Sequence, residues 1–180
     1  LSEAQRTAIG KALGQFYAQL HAIPVADAIA AGAEPKPEWP KAEAVLPVLE
    51  ERLPGSMLDY ARGAFVAYAA LPEEESIFGY FDGHGWNMAF DHERGVLNGV
   101  YDFADAAIGP RSRELTYSNL TSGDLTARIV TAYARLTGRA IDLRTVAIRT
   151  SVQGLSELAE ESFDLAMFVA SATRWHGYMQ

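Results

Sequence analysis

Two short polar segments, residues 79–87 and 96–102, limit the folds open to this sequence more than any other part of it. The apolar residues on either side of the turn between them predict two antiparallel strands joined as a β-hairpin. Such a hairpin brings Asn87 and Asp102 together, and a tight glycine loop keeps Asp82 on the same edge. The sequence therefore predicts two carboxylates and one amide oxygen at a single site.

These three side chains suit a site that handles phosphate. Proteins usually hold Mg²⁺ with one or two carboxylates together with substrate phosphates and water, so Asn87 and Asp102 form a suitable half-site. Asp82 then remains available as a base. Protein kinases place a catalytic Asp five positions before a metal-binding Asn, with a second metal-binding Asp further along. Asp82, Asn87 and Asp102 reproduce that order and spacing.

At this point the sequence resembles a known family. Residues 80–87, Tyr-Phe-Asp-Gly-His-Gly-Trp-Asn, resemble the His-Gly-Asp-Leu-His-Pro-Gly-Asn loop of the aminoglycoside phosphotransferase family, which includes choline-kinase-like enzymes. Residues 99–106, Gly-Val-Tyr-Asp-Phe-Ala-Asp-Ala, resemble its Gly-Val-Ile-Asp-Phe-Gly-Asp-Ala segment. Residues 13–24 end in Leu-His-Ala-Ile-Pro and are similar to the helix end that precedes the loop in the family.

The resemblance implies an enzyme that transfers the γ-phosphate of ATP to a hydroxyl of a small molecule, with Mg²⁺ as the metal. Carried over position by position, it implies Asp82 as the catalytic base. It implies Asn87 and Asp102 as the ligands of Mg²⁺ and, through the metal, of ATP. The residues that it implies as support for the loop are Tyr80, His84 and Glu114.

Three positions depart from the family pattern. Tyr80 stands where the family usually has His, and Glu114 replaces the Asp that commonly braces the catalytic loop. Pro110 and Arg111 replace its usual Asp-Pro pair. These departures bear on loop support and turnover more than on the fold.

Acidic residues are the candidates for substrate contacts. Asp105 lies close to the predicted metal site, where it would touch substrate or cap its own loop. Glu157 and Glu160, with Glu161 and Asp164, form an acidic patch between the last two predicted helices, where this family tends to hold substrate. A solvated helix junction explains the patch equally well.

The charge balance limits the kinds of partner that the chain is expected to bind. The chain has 15 basic and 23 acidic residues and a net charge of -8, which argues against a nucleic-acid partner and favours a cationic or polyhydroxylated acceptor. It has no cysteine, and no apolar run reaches membrane-spanning length. We therefore predict a cytoplasmic protein that binds neither nucleic acid nor a membrane.

Outside the hairpin, apolar residues recur mostly at helical spacing. The predicted fold is α+β and mainly helical, a single protein-kinase-like carboxyl-terminal lobe with a small central β-hairpin that carries the catalytic and metal loops. Its predicted parts are a helical region (residues 1–76), the catalytic loop and hairpin (77–109) and a second helical region (110–180). Within these parts we expect residues 103–109 to be irregular, Ser112 to cap a short helix, and residues 163–178 to form a buried helix.

Nothing before residue 79 supplies the strand-rich half of such an enzyme, with its phosphate-covering loop and Lys. We therefore expect the amino-terminal nucleotide lobe to be absent from this chain and the isolated chain to be nearly inactive. We also expect that lobe, or a protein partner, to cover the hairpin. The alternative is a non-catalytic kinase-like binding or interaction module.

A metal hydrolase is a further reading of the same region, with a cluster of His84, Asp91, His92 and Asp102 as ligands. Asp91 and His92, however, fall in the predicted hairpin turn, at the end away from Asp102. The sequence therefore favours the phosphotransferase over the hydrolase.

Overall fold

The computed structural model of the chain describes residues 1–160, arranged in two compact units. The first unit contains residues 1–36 and 74–143, and the second contains residues 37–73 together with the chain from residue 144. The helix predicted for residues 163–178, and with it Glu161 and Asp164, lies outside the described residues.

Helix α1 (Glu3–Leu20) of the first unit begins directly after its cap, Ser2. The side chain of Ser2 accepts the Gln5 backbone N–H at 3.2 Å, and the Gln5 side chain accepts the Ser2 N–H at 2.8 Å. This reciprocal pair satisfies two of the N–H groups that a helix start leaves without partners. Leu13 and Tyr17 lie on the buried face of the helix.

Helix α6 (Gly123–Thr137) packs directly against α1. Ser122 caps its start, and Gly138 ends it in the left-handed conformation at φ 69°. The two helices approach so closely that a Cβ at Gly14 would lie 2.7 Å from the Cβ of Ala132. Glycine on α1 therefore sets the spacing of this helix pair.

Four short strands lie between these helices in the chain: β1 (Ser76–Gly79), β2 (Met88–Asp91), β3 (Val96–Val100) and β4 (Ala107–Pro110). Strands β2 and β3 pair antiparallel, so the predicted hairpin is confirmed. Strand β1 pairs antiparallel with β4, in a register that sets Gly79 opposite Ala107. The chain between β1 and β4, which contains both polar segments, therefore starts and ends at this pair of strands.

The pairing of β1 with β4 corrects two details of the sequence prediction. Residues 103–109 are not irregular throughout, because the last three belong to β4. Ser112 does not cap a helix, since it lies within a 3₁₀ helix (Arg111–Leu115), and its N–H and hydroxyl both donate to the carboxylate of Glu74. The α-helix that follows, α5 (Thr116–Thr121), starts three residues later than a cap at Ser112 predicts. A further short helix, α2 (Val25–Ala30), follows α1.

The second unit contains α3 (Ala42–Glu50), α4 (Gly55–Ala69) and α7 (Leu143–Ala159), which begins at the unit boundary. The Tyr60 hydroxyl of α4 donates to the Ser151 hydroxyl of α7 at 2.7 Å. No helix within residues 1–160 combines the length and apolar character needed to cross a membrane.

Glu157 and Glu160, the predicted substrate residues, lie near the end of α7 in this second unit. The Glu157 carboxylate accepts a hydrogen bond from the Gln153 side chain at 2.9 Å, one helical turn away. Glu160 is exposed just beyond the last residue of the helix. Their contact with substrate stays a prediction.

Candidate active site

The loop that carries Asp82 leaves the end of β1 and is held from behind by Glu114. This carboxylate is fully buried and accepts the backbone N–H groups of Tyr80 at 2.7 Å and Phe81 at 2.8 Å. Gly79 provides the space, because a Cβ there would lie 2.3 Å from Glu114 Oε2. Phe81 has a φ of 57°, which is uncommon for a residue with a side chain. The two hydrogen bonds therefore stabilise a strained backbone directly before Asp82.

Glu114 is itself held by a hydrogen-bond chain from two helices. His21, at the end of α1, places Nε2 3.2 Å from Glu114 Oε2 and Nδ1 3.1 Å from the Tyr133 hydroxyl of α6. An ionised carboxylate can only accept, so Nε2–H is the donor to Glu114; in the neutral imidazole, Nδ1 then accepts the hydroxyl proton of Tyr133. Side-chain exposure is 2% for His21 and 0% for Glu114. We name this buried chain, Tyr133–His21–Glu114, the brace.

Asp82 projects forward from the loop, between two donors. Its Oδ2 accepts from the Asn87 side-chain amide at 2.6 Å, and its Oδ1 lies 3.1 Å from His84 Nε2. Burial raises the pKa of the Asp82 carboxyl; His84 opposes this effect, and the negative charge of Asp105 adds to it. Burial also lowers the pKa of the His84 imidazole, although the negative charges of Asp82 and Asp105 act to raise it.

Asn87 lies at the end of a short 3₁₀ helix (Gly85–Asn87) and joins the loop to the hairpin. It is buried, and its carbonyl accepts the N–H of Tyr101 at 3.1 Å, which continues the pairing of β2 and β3 by one step. The next residue is Asp102, exposed and in the left-handed region at φ 62°. Asn87 is therefore paired with Tyr101, the residue before Asp102, across the hairpin. The role of Asn87 and Asp102 as metal ligands stays a prediction.

The donor set on this edge fits a hard cation. Asn87 uses its amide nitrogen on Asp82, which leaves its amide oxygen for another partner. The Asp102 carboxylate is exposed and accepts a long hydrogen bond, 3.4 Å, from the N–H of Ala104. An amide oxygen and one carboxylate, completed by phosphate and water oxygens, are ligands that Mg²⁺ takes.

The hydrolase reading finds no support in the described residues. Within residues 1–160, no three His, Asp or Glu side chains come together in a group able to hold a metal ion. His84, Asp91, His92 and Asp102 are all described and do not form the cluster which that reading requires.

Tyr80, which stands at the usual His position of the family loop, connects the loop to the hairpin. Its hydroxyl donates to the carbonyl of Tyr101 at 2.5 Å, one residue before Asp102. Burial raises the pKa of Tyr80 to about 12, and the negative charges of Asp82 and Asp102 act in the same direction. Asn87 contacts Asp82 through its side chain and Tyr101, the neighbour of Asp102, through its backbone.

Lys36 is a member of this region that the sequence reasoning missed. Residues 34–36 run beside β4, and Lys36 Nζ lies 2.5 Å from Asp105 Oδ1. Its positive charge also lowers the pKa of Asp82, as the least of the five influences on that carboxyl. Nothing in the Pro-Lys-Pro segment around Lys36 signalled this position, because the pairing with β4 is non-local.

Three rings stack beside Asp82. The His84 imidazole lies between the indole of Trp86, at a centroid distance of 4.2 Å, and the ring of Tyr117, at 3.6 Å. Trp86 is 71% exposed, and its carbonyl accepts a hydrogen bond from the Tyr101 hydroxyl. The sequence prediction gave Trp86 no role, although it lies inside the predicted catalytic loop.

Comparison with solved structures gives the same fold. The chain is similar to a GDP complex of a variant aminoglycoside 2'-phosphotransferase-IIIa (21% identity, TM-score 0.75, covering 99% of this chain and 63% of that one). It is also similar to an apo macrolide 2'-phosphotransferase from Brachybacterium faecium (20%, 0.63, 93% and 59%). A third similar structure is the gentamicin complex of APH(2")-IIa (18%, 0.60, 98% and 64%). The predicted α+β, kinase-like fold is thereby confirmed.

The chain spans about 63% of the first of these structures. No curated protein sequence matches it significantly. Residues 1–148, which include the braced loop, the hairpin and both predicted metal ligands, match the model of the phosphotransferase enzyme family, APH. The chain belongs to that family.

Proposed function

We propose that this chain carries the base and the metal site of a cytoplasmic phosphotransferase that moves the γ-phosphate of ATP to a hydroxyl of a small molecule. The observation that carries the proposal is the position of Asp82. It projects from a braced loop and accepts a hydrogen bond from Asn87, which is paired with Tyr101, the residue before Asp102. That is the arrangement phosphoryl transfer needs, since the protein mainly positions the reactants and neutralises charge.

In the proposed reaction, Asp82 accepts a hydrogen bond from the acceptor hydroxyl and orients its oxygen. The oxygen bonds to the γ-phosphorus as the bond from that phosphorus to the β-phosphate oxygen breaks, and the hydroxyl proton passes to Asp82. His84 and Asn87 hold the two oxygens of Asp82 throughout. Mg²⁺, which Asn87 and Asp102 would hold, neutralises phosphate charge when bound.

The nucleotide and the acceptor are separate parts of the proposal. Related structures were solved with GDP or with streptomycin and ATP, so both ATP and GTP are donors to test. Gentamicin and streptomycin are bound in two of the neighbours. For this chain we propose a cationic or polyhydroxylated acceptor, with Asp105, Glu157 and Glu160 as acidic contacts.

We further propose that the 180-residue chain transfers phosphate slowly by itself. Its sequence before Asp82 has no glycine-rich loop followed by a strand-borne Lys, so a nucleotide would be contacted from one side only. An additional lobe, or a protein partner over the hairpin, would supply the remaining contacts. The coverage of 63% of a related chain is consistent with this.

The test is phosphate transfer from ATP or GTP, with Mg²⁺, to gentamicin and streptomycin. It compares this chain with a chain extended by the upstream coding sequence. The extended chain should be active, and Asp82→Asn should remove most of that activity. Asp59→Asn is the matched control, because the Asp59 side chain is 81% exposed and lies in the second unit. An active Asp82→Asn variant would contradict the proposal, and nucleotide binding without turnover at either length would favour the non-catalytic module.

A further inference from the structure

One face of Trp86 is covered and the other is open. The covered face stacks on His84 with the ring planes within 15° of each other, and His84 contacts Oδ1 of Asp82. The indole is 71% exposed, although burial of so large a ring would ordinarily stabilise the fold. Trp86 therefore presents a flat apolar surface to solvent, two side-chain contacts away from the proposed base.

The position of Trp86 is fixed by its neighbours. Its carbonyl accepts the Tyr101 hydroxyl, and the N–H of buried Asn87 donates to the carbonyl of His84 at 3.1 Å. A ring that is held before a ligand arrives loses little conformational entropy on binding. Tyr101, which is 51% exposed and donates its hydroxyl to the Trp86 carbonyl, adds an exposed ring to this segment. Exposed apolar patches of this kind are typical of binding sites.

We propose that Trp86 is the binding platform for the acceptor and that the acceptor carries an aryl ring next to its reactive hydroxyl. This inference rests on the proposed function, because Asp82 defines where the hydroxyl lies. A base must lie within hydrogen-bond reach of that hydroxyl. Since His84 touches both Asp82 and Trp86, one small molecule can reach the carboxylate and the indole together.

The charges at the site favour the acceptor over a phosphate group as the occupant of this surface. Asp82 contacts His84, which stacks on Trp86, and Asp102 follows Tyr101, whose hydroxyl donates to the Trp86 carbonyl. Without a metal, both carboxylates repel an anion that lies against the indole. An uncharged ring meets no such repulsion, and a cationic one is attracted by the indole face.

The test uses two acceptors with the same sugar hydroxyls, phenyl β-D-glucopyranoside and methyl β-D-glucopyranoside. In a chain with Trp39→Phe and Trp175→Phe, Trp86 is the only tryptophan, so its fluorescence reports occupancy. We expect the phenyl glycoside to shift this emission and to bind about tenfold more tightly than the methyl glycoside, as a single stacked ring would give. Calorimetry supplies the same ratio for variants that lack the indole.

Trp86→Ala should reduce the ratio to about one, whereas Trp86→Phe, which keeps a flat ring, should retain most of it. Circular dichroism and the melting temperature confirm that each variant is folded. A ratio that Trp86→Ala leaves unchanged overturns the proposal, and so does failure of the wild-type chain to bind either glycoside. If Trp86 controls the ratio but Asp82→Asn does not lower phosphate transfer in the extended chain, the proposed base is wrong and the platform stands.

Discussion

The two sides of the catalytic loop are built in opposite ways. Behind the loop, the brace is fully buried and its carboxylate accepts from two backbone amides and an imidazole. In front of it, Asp102 and Trp86 are exposed, and the Asp82 side chain is 17% exposed. Buried hydrogen bonds fix geometry, whereas exposed groups remain available to ligands. Substitutions on the two sides should therefore have different consequences, stability behind and turnover in front.

The largest expected effect is on the front side. Asp82→Asn in the extended, active protein should lower kcat by about a thousandfold, because the acceptor hydroxyl loses its base and its positioning. Folding should be nearly unaffected, since an asparagine oxygen can still accept from the Asn87 amide. Steady-state kinetics and a melting curve on the same preparation check both parts. A large loss of stability would mean that Asp82 belongs to the structural side of the loop.

The pH dependence of stability gives the same variant a second test, in EDTA and without nucleotide. Burial raises the pKa of Asp82 in the folded state, so the folded protein holds this proton more tightly than the unfolded chain does. Stability from this group is therefore greatest below the unfolded pKa and is lost as the pH rises through the folded one. Asp82→Asn should remove this loss of stability with rising pH and melt at the same or a higher temperature at pH 7.

The next effect is on the back side. Glu114→Gln should destabilise the protein by about 3 kcal/mol, because the amide cannot accept from all the donors that a buried carboxylate satisfies. Turnover should fall with it as the loop loosens. Glu50→Gln, at an exposed ion pair with Arg62, should change stability by less than about 0.5 kcal/mol. Urea unfolding measures the free energy of unfolding of both variants. Equal losses would show that the brace does not stabilise the protein.

Two Gly→Ala variants, one on each side of the loop, test the same difference, and we expect their effect on stability to be intermediate. Gly79→Ala should destabilise the protein by about 2 kcal/mol, because its new methyl group would lie 2.3 Å from Glu114 Oε2. Gly85→Ala, on the front of the same loop, meets nothing within 4 Å and should be close to neutral. The difference in unfolding free energy between the two variants is the measurement, and similar values would contradict the crowding behind the loop.

The smallest effect concerns the end of the brace. Tyr133→Phe removes the hydroxyl that donates to His21 Nδ1, and should cost about 1 kcal/mol for one lost buried hydrogen bond. Nitrogen NMR of the imidazole should show the proton on Nε2 in the wild-type chain. A proton on Nδ1 would mean that the donor and acceptor roles within the brace are reversed.

The front of the loop could be predicted from the sequence, whereas the brace behind it could not. Asp82, Asn87 and Asp102 lie in short segments whose turn residues and spacing are local, so their side of the hairpin was predictable. The brace joins residues that are 93 and 112 positions apart, and no local pattern encodes such contacts. The β1–β4 pairing was missed for a similar reason, since a four-residue strand such as Ala-Ile-Gly-Pro is too short to show alternation.

The close packing of α1 against α6 has a consequence for regulation. His21 ends α1 and Tyr133 lies on α6, so the brace joins the very helices whose spacing Gly14 sets. The brace therefore links the packing of these two helices to the conformation of the loop that carries Asp82. A free-energy coupling between two sites acts equally in both directions. We therefore expect a ligand that orders the loop from the front to strengthen the contact between the helices. By the same reciprocity, we expect a molecule that separates the helices to weaken ligand binding at Asp82 without touching it.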